Sequence, residues 1–220
     1  MSDALDGRKP ILIAIDGPAG SGKSTVSQAL SLRLGLDHVD TGAMYRALAW
    51  KALSINVPTR DSVLIAALLK STTVDLKGEE VILDGRDVSS VIRSPQAGAA
   101  ASKMARNAEV RRWLVERQRE IARRNPAGAV VEGRDIGTVV LPDADLKIFL
   151  TAALDERARR KNDPSGSGTA WQLEDLASRD LRDTQRSASP LVAAEDAVVL
   201  DTTDLSAEET VEKILEMVNS

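Results

Sequence analysis

Cysteine is absent from the 220 residues, which excludes disulfides, thiolate metal sites and a cysteine nucleophile, and fits a reducing, cytoplasmic setting. Aromatic side chains are scarce. One Phe, one Tyr and three Trp imply an aliphatic core and no platform on which single-stranded nucleic acid could stack. The one histidine, His38, cannot build a His-rich metal site, and a lone histidine beside a strand is assigned no role. No apolar stretch reaches transmembrane length, and the polar opening from Met1 to Lys9 does not read as a signal peptide, so a membrane partner is not expected. A formal charge of -4 argues against general nucleic-acid binding.

What the chain does contain is aliphatic mass and clustered arginine. A hydrophobic share of 43% fills a sizeable core, and the length fits one α/β domain with small appended pieces. Basic residues crowd three stretches: Lys103 to Arg124, Arg157 to Lys161, and Arg179, Arg182 and Arg186. On an otherwise acidic protein such clusters suggest a pocket for a compact polyanion, although solvated helix faces account for about half of such residues.

The most specific signal is Gly17-Pro18-Ala19-Gly20-Ser21-Gly22-Lys23-Ser24, a complete G-x-x-x-x-G-K-[ST] loop that follows the buried-strand run Ile11 to Ile15. Strand, glycine turn and helix in that order converge backbone N–H groups on phosphate oxygens. Lys23 is placed to bridge the β- and γ-phosphates, and Ser24, with Thr25 beside it, offers a hydroxyl to Mg²⁺. A nucleoside triphosphate is the expected ligand.

Helical spacing from Thr25 to Leu34 ends at Gly35, His38-Val39-Asp40 is a short strand candidate, and a second helix runs from about Thr41 to Ser54. A third ends near Lys70, followed by β-like runs at 72–76 and 80–83 that predict a small antiparallel insert. Ala-rich and basic helices cover 95–107 and 109–124. Apolar strands follow at 129–131, 146–150 and 197–200, with a Ser/Gly break at Asp163 to Gly168 between Arg-rich helices. A capping box at Ser206 to Glu209 opens the last helix. Strands alternating with helices predict a three-layer α/β fold around a parallel five-stranded sheet, with ligands at the strands' carboxyl ends.

The loop specifies a phosphoryl donor but not the reaction. Arg179, Asp183 and Arg186 share one predicted helix face, and Arg157 and Arg160 lie one turn apart. Guanidinium forks near strand ends suit transfer between two phosphates, where anion repulsion must be offset. An acceptor that is already a phosphate dianion needs no strong general base, which agrees with the lack of a candidate histidine. A nucleotide-gated binding module and a kinase of a non-nucleotide metabolite are the competing readings. Glu132, after an apolar strand, is either a metal-side carboxylate acting through water or part of a buried ion pair.

Beyond the loop, the chain resembles the bacterial cytidylate kinases in Ile15 to Pro18, Asp40 to Arg46, Ala101-Ser102, Glu132 to Val140, Pro142 to Ala144, Lys147 to Leu150, and Arg179-Asp180 through Pro190-Leu191. The resemblance runs from about residue 11 to the end. It implies one kinase domain with its core at 11–40, 129–152 and 197–219, a nucleoside-monophosphate region at 41–125 with the β insert near 72–92, and a lid at 155–187. The implied reaction is ATP with CMP or dCMP giving ADP with CDP or dCDP, assisted by Mg²⁺ at Ser24 and Glu132. The resemblance further implies that Thr41, Arg46, Arg134 and Arg186 hold the acceptor phosphate, that Tyr45 borders the nucleotide, and that Asp183 with Arg179 meets the ribose. Ser102, Arg111 and Asp135 are implied to read cytosine, with Lys23, Arg134, Arg157 and Arg186 as the catalytic cations. No nucleic-acid partner is implied, and a monomer is expected. Cytosine offers an amino donor beside ring acceptors, so a carboxylate at Asp135 with donors at Arg111 and Ser102 matches it and mismatches uracil.

Overall fold

A computed structural model of the chain describes residues 9–161, 170–184 and 189–219. The expectations for the N-terminal segment to residue 8, for the Ser/Gly break and for Arg186 lie outside the described residues. The chain divides into two compact units, one formed by the residues up to His38 and from Asn125 onward, the other by Val39–Arg124.

The first unit is built on the expected five-stranded sheet. Its strands are β1 (Ile11–Asp16), β2 (Asp37–Asp40), β6 (Gly128–Glu132), β7 (Leu146–Thr151) and β8 (Val198–Asp201), in the order β2-β6-β1-β7-β8. The division between units falls within β2. β1 pairs in parallel with β6 and β7, and β7 with β8. Parallel strands covered on both faces read as unbroken apolar runs, and Ile13, Ala14, Ile15, Val130 and Val131 are all fully buried.

Two helices position this sheet's loops. α1 (Lys23–Leu34) sets Val26 and Leu30, and α8 (Ala207–Val218) sets Val211 and Ile214, into one apolar cluster with Ile13, Ile15, Val130, Ile148 and Leu150. α6 (Leu154–Lys161) follows β7, and α7 (Ala170–Thr184) packs against it. In β1 and β6 the register sets Ile15 opposite Glu132, so the glycine loop and the segment from Gly133 leave adjacent strands at the same end of the sheet. That segment enters a single π-turn, Ile136–Val140, which periodicity did not anticipate.

The second unit holds α2 (Thr41–Ser54), α3 (Ser62–Lys70), α4 (Pro95–Met104) and α5 (Ala108–Ala122) with the expected antiparallel insert. The insert comprises β3 (Val74–Lys77), β4 (Glu80–Leu83) and β5 (Arg86–Asp87). α2 packs chiefly on α4 and also meets α5. Side chains cap all four helices: Asp40, Asp61, Ser94 and Asn107 each accept first-turn N–H groups.

α8 begins with the predicted capping box, in which Ser206 Oγ accepts from Glu209 N–H and Glu209 accepts from Ser206 N–H at 2.8 Å. Because α8 closes the core over α1, Ser206→Ala is expected to lower stability by about 1 kcal/mol. Urea unfolding checks this, and an unchanged midpoint contradicts it.

Candidate active site

The glycine loop is shaped by backbone that other residues cannot adopt. Gly17 has φ 147, and a Cβ there would lie 2.1 Å from the Leu150 carbonyl; at Gly20, with φ 79, it would lie 2.7 Å from the Arg157 carbonyl. Gly22 precedes α1 in the left-handed conformation without any side-chain cap, and the first turn of α1 carries no acidic residue. The positive end of a twelve-residue helix is thus left open to an anion, whereas α2, α3, α4, α5 and α8 are all capped by side chains.

Around that loop the first unit gathers charge. Lys23 Nζ donates to the Pro18 carbonyl at 2.8 Å, which folds the side chain back over its own loop. Burial, and then the Arg134 guanidinium, push its ammonium down to about 7, while Glu132, Asp16 and Asp183 pull the other way. Ser24 Oγ donates to Glu132 Oε2 at 2.8 Å, and His38 Nε2 stands 3.1 Å from Glu132 Oε1. Arg134 Nη1 donates to the Gly17 carbonyl at 2.8 Å, and its Nε lies 3.4 Å from Asp183 Oδ2. The loop, Glu132, Arg134 and Asp183 therefore come together within one unit. Asp135 follows Arg134 directly and is buried at the start of the π-turn.

A cavity of ≈ 530 Å³ opens beside the loop, lined by Gly20 to Val26, by Glu156, Arg159 and Arg160 of α6, and by Thr202, Leu205, Ser206, Ala207 and Thr210. Its position against the open end of α1 suits the remainder of a ligand whose phosphates sit on the loop. Arg160 reaches it while donating to Thr202 Oγ1 at 2.9 Å and pairing with Glu156 at 2.8 Å. Arg157 is held differently. Its Nε donates to the Ala152 carbonyl at 3.0 Å and its Nη1 to both the Ala19 carbonyl at 3.1 Å and Asp180 at 2.6 Å, leaving it 7% exposed under the loop.

Comparison with known proteins places this geometry. The sequence profile described as cytidylate kinase matches residues 13–220. This chain belongs to the cytidylate kinase family. It is 48% identical over 220 residues to a cytidylate kinase of Desulfitobacterium hafniense, covering 96% of this chain and 94% of that protein. A cytidylate kinase of Caldanaerobacter subterraneus subsp. tengcongensis is 46% identical, with 94% of each chain covered. In fold, the chain is similar to the crystal structure of an uncharacterized protein from Eubacterium ventriosum, with a TM-score of 0.55, 13% identity, and 96% of this chain and 99% of that one covered.

The remaining residues implied by cytidylate kinase resemblance lie mostly in the second unit. Thr41, Tyr45 and Arg46 stand on the first two turns of α2, with Thr41 buried and Tyr45 half-buried. Arg46 Nη2 donates to Asp40 Oδ2 at 2.8 Å, and its Nε is buried without a hydrogen-bond partner. Ser102 lies on α4, and Arg111, 5% exposed on α5, donates to the Ala105 carbonyl at 3.3 Å. α2 packs on both α4 and α5, so these residues occupy adjoining helices. Arg179 lies on α7, its side chain outside what is described, and Arg186 is outside the described residues altogether.

Sequence reasoning missed four participants. His38 was assigned no role, yet it contacts Glu132; nothing in a lone histidine signals a partner 94 residues away. Asp40 and Asp180 hold Arg46 and Arg157, and only Asp40 stood close enough in sequence to be suspected. Asp16, 5% exposed, accepts Ile136 N–H on Oδ1 and Gly137 N–H on Oδ2, each at 2.8 Å. Burial raises its carboxyl to about 6 against those two bonds, with Asp135 adding to the rise.

The depressed Lys23 pKa has a measurable sign. Between about 7 and the ordinary 10.5 the unfolded chain holds a proton here that the folded chain has released. The penalty of the desolvated ammonium is therefore full below about 7 and fades as pH rises towards 10.5. Lys23→Met is expected to raise Tm in weakly acidic buffer, with the gain shrinking steadily through the alkaline range. Thermal unfolding at several pH values tests this, and a pH-independent gain contradicts it.

Proposed function

We propose that this chain transfers the γ-phosphoryl group of ATP to CMP or dCMP, giving ADP and CDP or dCDP, as membership of the cytidylate kinase family implies. The observation that carries the reading is the pairing of adjacent strand ends: the open glycine loop with Lys23 on β1, and Arg134-Asp135 leaving β6 beside it. An oxygen of the acceptor phosphate attacks the γ-phosphorus, the bond from that phosphorus to the β,γ-bridging oxygen breaks, and the electron pair leaves on the β-phosphate.

The residues divide this work. The N–H groups of Gly17 to Thr25 cradle the donor, and Lys23 leaves the Pro18 carbonyl to balance β- and γ-oxygens. Thr41, Arg46, Arg134 and Arg186 hold the acceptor phosphate, Tyr45 borders the nucleotide, and Asp183 with Arg179 meets the ribose. Each of these cations now sits on a carboxylate or carbonyl wherever its contacts are described, so phosphate replaces an existing partner rather than entering bare charge. Arg186, and Arg157 once it gives up its bonds to Ala152, Ala19 and Asp180, complete the cationic set as the lid closes. Ser102, Arg111 and Asp135 read the base, Asp135 accepting from the cytosine amino group.

Mg²⁺ fits the oxygen donors at the loop's end. The Ser24 hydroxyl and the Glu132 carboxylate already meet at 2.8 Å, and a hard cation that keeps most of its waters needs only such a hydroxyl, a nearby carboxylate and the phosphates. When bound, it supplies charge neutralisation at the β,γ-oxygens. No described helix is long and apolar enough to cross a membrane, and we place the enzyme in the cytoplasm as a monomer acting on small nucleotides.

Incubation with Mg-ATP and single monophosphates tests the reading. CMP and dCMP are expected to be consumed much faster than UMP, AMP or GMP; nucleotide binding without transfer contradicts it. Lys23→Ala is expected to lower kcat by about a thousandfold through lost transition-state charge balance. Asp135→Asn is expected to lower the CMP-to-UMP ratio of kcat/KM by about tenfold or more, since the uracil carbonyl no longer faces a carboxylate.

A further inference from the structure

Asp135 occupies the position that normally caps a helical turn. An Asp there ordinarily turns its carboxylate back onto the next two or three amides. Asp135 makes no such bond. The two amides it would have capped, Ile136 N–H and Gly137 N–H, are taken instead by the two oxygens of Asp16, one each at 2.8 Å, from the end of β1 120 residues earlier. Asp16 is 5% exposed, Ile136 0% and Asp135 6%, so water does not compete for these amides. The packing is also close: a Cβ on Gly137 would lie 3.1 Å from Lys147 Cδ and 3.5 Å from Asp16 Oδ2.

This arrangement has a cost that stability alone does not explain. A carboxylate is buried at the edge of the site with Asp135 nearby, and the cheaper local solution, Asp135 capping its own turn, is not used. What the remote cap achieves is to fix the backbone of the turn while leaving the direction of the Asp135 side chain independent of it.

We propose that Asp16 is a specificity-positioning residue: by capping the π-turn from β1, it keeps the Asp135 carboxylate from turning back on its own amides and holds it towards the base. The proposal rests on the reading of Asp135 as the cytosine-sensing group. Asp16 touches no substrate in this account; it acts through Asp135.

Replacing Asp16 by Asn keeps the shape but sets an NH₂ donor against one of the two N–H donors. One cap bond is lost, and Asp135 is then the nearest carboxylate able to take that amide. The experiment measures kcat/KM with CMP and with UMP for the wild type, Asp16→Asn, Asp135→Asn and the double variant. Expected are a fall of about tenfold in the CMP-to-UMP ratio for Asp16→Asn, and a double variant no less selective than Asp135→Asn alone, because both changes act on one group.

An Asp16→Asn protein that loses rate equally with both nucleotides, while Asp135→Asn still relaxes selectivity, overturns the positioning role and leaves the base-reading assignment standing. Unchanged selectivity in Asp135→Asn overturns both. Should Asp16→Asn not fold, replacing Ile136 by its α-hydroxy analogue deletes the N–H that Asp16 Oδ1 accepts, and the same replacement at Val140, which removes one bond to the Asp135 carbonyl without touching the Asp16 cap, controls for the weaker ester carbonyl it leaves at Asp135. The same fall in ratio then supports the role, and an unchanged ratio contradicts it.

Discussion

The parallel pairing of β1 with β6 is the constraint on which the site rests. Ile15 stands opposite Glu132, so the chain leaves the two strands at one level, through a glycine loop on one side and Gly133-Arg134-Asp135 on the other. Three contacts follow from that register: Ser24 with Glu132, Arg134 with the Gly17 carbonyl, and Asp16 with the amides of the π-turn. A slip of one residue would turn the side chains of the slipped strand to the other face of the sheet and break this set of contacts. The apolar runs of β1 and β6, packed on α1 and α8, make such a slip expensive.

Within each unit the cations already rest on protein acceptors, so neither unit carries them as bare charge without phosphate. Arg46 rests on Asp40, Arg134 on Gly17 and Asp183, Arg157 on Asp180, and Lys23 on the Pro18 carbonyl. Burial has already moved Lys23 to about 7, so its charged state depends on what faces it. An anion facing Lys23 would favour its charged form, opposing the effect of burial. Arg157 is the exception in degree. Bonds to Ala152, Ala19 and Asp180 bind it to the underside of the loop, so here it braces the loop against α7.

Much of this was legible in the residues. The loop motif, five strands, the antiparallel insert and the final capping box are local patterns, set by periodicity, glycine placement and turn chemistry, and each stands where it was expected. The contacts that organise the site were not legible, because they join residues about a hundred positions apart. Glu132 was left between a metal-side role and a buried ion pair, and its bonds to both Ser24 and His38 arise only once β2 lies beside β6 in the sheet and α1 packs against it. The π-turn escaped notice for the same reason: Ile136 to Val140 has no local cap, and the group that caps it comes from β1.

The central claim is that one enzyme holds a triphosphate on the glycine loop and a cytidine monophosphate facing it at the same time. Calorimetric titration with bisubstrate analogues, adenosine joined through five phosphates to cytidine or to uridine, tests it most directly. The account predicts one analogue bound per chain, displaced by ATP and by CMP alike, with the cytidine compound bound more tightly by about tenfold or more. Equal affinity for the two analogues, or binding that CMP does not compete with, would contradict it.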